Sequence, residues 1–221
     1  MIPGRLLTGV FWLFLAACAA DMPEPDYILQ GLIIQTARAN RSDLPTETGQ
    51  TTPVTPTVTL YTFSGVQLNL ASSTLTDSGW SQCFSETYDH IGTTMASISA
   101  LCSKSRMLMA CRVTGSTTLT VAAHALKSEI MVEDANNATS FHSANNVNWY
   151  YHATVELAWG FFSTNDANVN NSFCDLTGTY PDYRMCWHTS TTAGLKGGWR
   201  CGATIGLNSD ATWERVIYHA D

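Results

Sequence analysis

The chain has 221 residues, enough for one domain or two small ones, and a net charge of -7. Charged residues make up only 13%, against roughly 25% in an average soluble domain. Lys and Arg are scattered singly, so the clustered cations of a nucleic-acid surface are missing, and hydrophobicity is too high for a disordered chain.

One cation, Arg5, precedes the apolar run Leu6–Ala17. Such a run is too short to cross a bilayer and has the geometry of a signal peptide over residues 1–17. Its end, Leu15-Ala16-Ala17-Cys18, resembles the lipobox of bacterial lipoproteins. The resemblance implies acylation of the Cys18 thiol and a stable multi-chain membrane anchor. By the sorting rule of enteric bacteria, Ala19 then favours the outer membrane. Ordinary secretion, with cleavage after Ala19 or Ala20, is the alternative. Residues 18–57 read as a tether of about 40 residues, rich in Thr and Pro over 42–57. The apolar stretch Tyr27–Ile34 interrupts it as a segment able to dock as a strand or a short helix.

Residues 58–221 read as a single antiparallel, mainly β domain, a sheet or sandwich with one short helix. Val66–Leu70 alternates as a half-buried strand, and Thr94–Cys102 carries helical spacing. Arg106–Val113 and Thr117–Ala123 flank Gly115 as a hairpin. Tyr151–Trp159 alternates most cleanly of all and predicts a strand with Trp159 in the core. Asn165–Ser172 is a polar loop. Arg184–Thr189, Gly198–Cys201 and Trp213–His219 complete the strands, with a Gly-rich turn over Gly194–Gly198.

Seven cysteines less Cys18 leave Cys83, Cys102, Cys111, Cys174, Cys186 and Cys201. An even number in an exported domain predicts three disulfides. The spacings lack the close Cys pairs of a zinc site. Six cysteines allow 15 connectivities. The reading favours one pair, Cys186 with Cys201, because the segment between them should fold back on itself.

Several blocks are similar to an exported bacterial domain with no assigned activity. They include Gly79-Trp-Ser-Gln-Cys83, Leu108-Met-Ala-Cys-Arg112, Cys186-Trp-His-Thr189, Gly197-Gly-Trp-Arg-Cys-Gly202 and Trp213-Glu-Arg-Val-Ile-Tyr218. This resemblance covers roughly residues 77–219 and implies no catalytic residues.

No His-Glu-x-x-His, Gly-x-Ser-x-Gly or phosphate-loop pattern is present. The neighbours Glu133 and Asp134 read as loop residues rather than an acid/base pair. Asp166, Asn168 and Asn170 alternate as oxygen ligands of a Ca²⁺ loop would, although Thr177 stands where the closing bidentate Glu belongs, with Asp175 as a substitute. No other cofactor is expected. Trp149, Tyr150, Trp187 and Trp199, in a chain that also carries Tyr180 and Tyr183, are the candidate ligand-binding aromatics. Exposed, such rings stack on sugars or anchor protein interfaces. The leading expectation is a cell-surface binding or adhesion module for a glycan or a protein, attached to the membrane by its lipid. The alternatives are an exported hydrolase of envelope polymers and a structural envelope protein.

Overall fold

The computed structural model describes residues 58–192 and 194–221, which belong to the compact unit Pro53–Asp221. The expected signal peptide, Cys18 and the expected tether lie outside the described residues. The first sheet is built from β1 (Gln67–Ala71), β2 (Ser81–Thr87), β3 (Arg106–Val113), β4 (Thr118–Leu126) and β11 (Trp213–Ala220). Its order is β1-β4-β3-β11-β2. The second contains β5 (His142–Ala144), β6 (Val147–Tyr151), β7 (Ala158–Ser163), β8 (Arg184–Ser190), β9 (Gly194–Cys201) and β10 (Thr204–Ile205). It is an antiparallel meander of sequence neighbours, β10-β9-β8-β7-β6-β5.

The period of two in each strand sorts its side chains between two faces. Met107, Met109 and Cys111 of β3, Val121 and Ala123 of β4, and Ile217 of β11 share one buried cluster with Trp149, Trp159, Phe161, Met185 and Trp187 of the second sheet. Trp159 and Trp187 meet edge to face, with centroids 5.3 Å apart. Both outer faces are covered as well. Leu108, Ala110, Val216 and Tyr218 pack beneath Leu60, Tyr61 and Phe63. Trp80 fastens that arm by donating its indole N–H to the Tyr61 carbonyl at 2.8 Å.

Among the described residues three α-helical segments accompany the sheets, α1 (Ser72–Thr76), α2 (Met95–Leu101) and α3 (Lys127–Ile130), besides 3-10 turns at Asn171–Phe173 and Pro181–Tyr183. Only α2 was predicted. It is N-capped by Thr94, whose hydroxyl accepts from the Ser97 amide. The other two are single turns, too short to repeat an apolar period.

The disulfides are Cys83–Cys102, Cys111–Cys201 and Cys174–Cys186. The expected pairing of Cys186 with Cys201 is therefore wrong. Strands β8 and β9 do lie side by side, but in a register that sets Cys201 opposite Met185 and Cys186 opposite Arg200. One residue of offset puts the two sulfurs on opposite faces of the sheet. Cys201 looks inward and staples β9 to β3 of the first sheet. Cys186 looks outward.

Two further expectations are corrected. Tyr151–Trp159 is not one strand: β6 ends at Tyr151 and β7 begins at Ala158, with Tyr151 paired to Trp159. The Glu133 carboxylate accepts the Ala153 and Thr154 amides that a strand would have given to a neighbour. The glycines of 194–198 lie within β9 rather than in a turn. At Gly198 a Cβ would stand 2.1 Å from the Tyr88 ring, so close packing explains this glycine.

Candidate functional site

Residues 164–183 cross the outer face of the second sheet as a strap. Its Val169 and Cys174 pack on Tyr150, Phe162 and Cys186 beneath, with Trp199 half-buried beside them. Parity explains the arrangement: Arg184 and Cys186 of β8 share the outward face, and Arg200 of β9 stands opposite Cys186.

These outward residues hold the strap down. Cys186 binds it covalently through Cys174. The fully buried Arg184 donates Nη1–H to the Asp175 carboxylate and Nη2–H to the Asp166 carboxylate. It also reaches the Asn168 carbonyl at 2.9 Å and, through Nε, the Thr179 carbonyl at 2.8 Å. Its guanidinium carbon sits 4.9 Å from the centroid of the Phe162 ring, over its face. Arg200 Nη1 donates to the Asp175 and Thr177 carbonyls at 2.7 and 2.8 Å. Two guanidinium groups thus meet two carboxylates, a balance that buried charge requires. Burial works against the Asp166 carboxylate, but the Asn168 amide and Arg184 outweigh it and hold its pKa below the ordinary Asp value.

The residues of the expected Ca²⁺ loop are bonded to protein groups in this arrangement. The Asp166 carboxylate and the Asn168 carbonyl both accept from Arg184, and the Asn170 side chain accepts from the Ser172 hydroxyl. Among the described residues no group of three or more His, Cys, Asp or Glu side chains is placed to hold a metal.

The expected stacking aromatics are also displaced. Trp149 and Trp187 are buried between the sheets, and Tyr150 lies under the strap with its hydroxyl on the Met185 carbonyl at 3.1 Å. Trp199 is half-buried in the same layer. The exposed apolar residues here belong to the strap itself: Phe173 (58% exposed), Leu176 (47%), Tyr180 (47%) and Tyr183 (38%). Cys174, Asp175 and Tyr180 adopt left-handed backbone angles, φ 50°, 57° and 46°. That region is uncommon for a residue with a side chain and a clear outlier for a bulky aromatic. Strain of this kind persists only where the surroundings over-determine the backbone, as the two arginines and the disulfide do here.

Among the described residues, the hydrogen bonds of His90, His124, His142 and His152 do not assemble a hydrolytic triad, in which one imidazole bridges hydroxyl and carboxylate through its two nitrogens. His90 Nε2 faces both Glu86, at 3.2 Å, and Thr93, at 3.4 Å, and the Thr93 hydroxyl bonds Glu86 directly. His142 has both nitrogens engaged, Nδ1 by Asp134 at 3.0 Å and Nε2 by the Glu129 carbonyl at 2.7 Å. His124 accepts the Phe63 amide through Nε2 at 3.0 Å. His152 meets Asn171 at 3.0 Å in the interior.

Comparison with family models, curated proteins and solved structures finds no match for the chain. The chemistry of the strap therefore carries the functional reading unaided.

Proposed function

We propose that the protein is a cell-surface binding module, anchored through a lipid on Cys18, and that the strap is its contact surface for a partner protein. The observation carrying this reading is the outward display of Phe173, Leu176, Tyr180 and Tyr183 on a backbone locked from below by Arg184, Arg200 and Cys174–Cys186. Aromatic side chains dominate interface energetics, and a loop fixed before binding loses little entropy on association. Leu176 and Phe173 favour protein over glycan. Sugar recognition needs flat rings beside hydrogen-bonding groups, whereas an aliphatic side chain beside a phenyl ring suits an apolar protein pocket.

A photo-crosslinking amino acid at position 183, in the full chain on intact cells, tests the proposal. A discrete protease-sensitive adduct is expected, lost in a Leu176→Ala/Tyr180→Ala double variant. An adduct that survives that double substitution, or binding on a glycan array that requires the same residues, would overturn it.

A further inference from the structure

A second surface lies at one end of the first sheet, where β3 begins and β4 runs into α3. Lys104, Ser105, Leu126, Lys127, Ser128 and Met131 line an open groove of about 510 Å³. Small-molecule sites fall within roughly 300–1,000 Å³. The floor is apolar: Leu126 is 39% exposed, Met131 packs its other side on the central core, and the lysine stems extend the surface.

Two lysines stand at the mouth. Lys127 donates one Nζ proton to the Ser99 carbonyl at 2.6 Å, which leaves two of its three donors. Lys104 Nζ stands 4.0 Å from Asp221, whose other carboxylate oxygen accepts the Ser105 amide. The nearby Glu129 carboxylate is turned to the Leu126 amide at 3.1 Å. Two ammonium groups with unused protons therefore stand over an apolar trough, in a chain of net charge -7.

We infer that this groove binds a free, single-chain anionic amphiphile, its chain along Leu126 and Met131 and its head between Lys104 and Lys127. An acidic peptide fits less well, because its backbone needs hydrogen-bond partners that the floor lacks. A flat bilayer matches a flat apolar face, whereas a trough takes one chain. The strap plays no part, so the two sites stand or fall separately.

Calorimetric titration of the full chain with dodecyl phosphate, kept below its micelle concentration, provides the test. Saturable one-site binding is expected, with no binding of inorganic phosphate or of dodecyltrimethylammonium. Lys104→Glu should weaken it by about tenfold. Ser128→Trp, at an exposed position, should abolish it with the circular dichroism unchanged. Wild-type binding by Ser128→Trp, or equal binding of the cationic amphiphile, overturns the proposal as non-specific adsorption. Equal binding of phosphate reduces the groove to an anion site and also overturns it. So does binding to phosphatidylglycerol vesicles without binding to the monomeric amphiphile.

Discussion

Arg184 and Asp175 form an ion pair in which both side chains are wholly shielded from solvent. The pair joins the first residue of β8 to the middle of the strap, and Arg184 spans from there to Asp166. Replacing Arg184 with Met leaves the buried Asp166 carboxylate without its cation and Asp175 with only Arg200, 4.0 Å away. Loss of one partner of a buried pair costs about 3–5 kcal/mol. Urea denaturation should show that loss, and limited proteolysis should show new cleavage within 164–183. Arg184→Lys should rescue little, since an ammonium cannot span two carboxylates and two carbonyls as a planar fork does.

Two histidines give stability opposite dependences on pH. Both nitrogens of His142 face acceptors, so the imidazolium is the form that satisfies both. Burial opposes that charge, but Asp134 and Glu129 outweigh it and raise the pKa above 6.5. Its contribution is complete below the unfolded value and is lost as pH rises through the folded one. His124 is the reverse. Burial first, then Arg106, lowers its pKa to about 4, so its contribution is complete above pH 6.5 and shrinks as pH falls toward about 4. Urea titrations across about pH 4–9 should show a decline on both sides. His142→Gln should remove the alkaline decline and leave the acid one.

Gly198→Ala should destabilise by roughly 1–3 kcal/mol, the usual cost of overpacking. Tyr88 cannot retreat from the new methyl group. Its hydroxyl is bonded to the Arg200 carbonyl at 2.9 Å, and its own carbonyl accepts the Gly198 amide at 2.8 Å. Thermal melts of the variant beside the parent would measure the effect.

The Cys111–Cys201 bridge closes the longest of the three disulfide loops, at a sequence separation of 90. Its removal by a double Ala substitution should cost about 4–5 kcal/mol on the chain-entropy account, more than removal of Cys174–Cys186 at a separation of 12. Denaturant midpoints of the two double variants test the order.

Intact mass of the processed protein should show acyl chains on Cys18 and six protons fewer than the reduced chain. A mass equal to a chain cleaved after Ala19 or Ala20 would assign free secretion instead.

Local pattern revealed much of the fold. The spacing of Met95, Ile98 and Leu101 marked α2, and Gly115 marked the β3–β4 hairpin. The rest depended on what period-two reasoning cannot supply, namely the register between strands. Cys186 and Cys201 were placed together to within one residue, and that residue reversed the face. Trp149 and Trp187 were read as surface candidates although each lies two positions from another inward residue, Tyr151 and Met185. The strap's clamp was almost silent in the sequence. Its sole trace is Arg184 two positions before Cys186, hence on the same side of a strand. The oxygens of Asp166 and Asn168, read in the sequence as metal ligands, are here acceptors for the Arg184 guanidinium.

The placement of β11 governs how the domain can come together. The meander β5 to β10 grows from successive neighbours, whereas β2 finds its partner only across pairings such as Phe84 with Ile217. Contacts so remote along the chain form slowly, because the intervening loop must be closed first. A polypeptide delivered progressively, from a ribosome or through a translocation pore, therefore holds a half-built first sheet until the residues near 220 arrive. The exposed flank of β3 during that interval is the place where a chaperone or a stray neighbouring strand would attach.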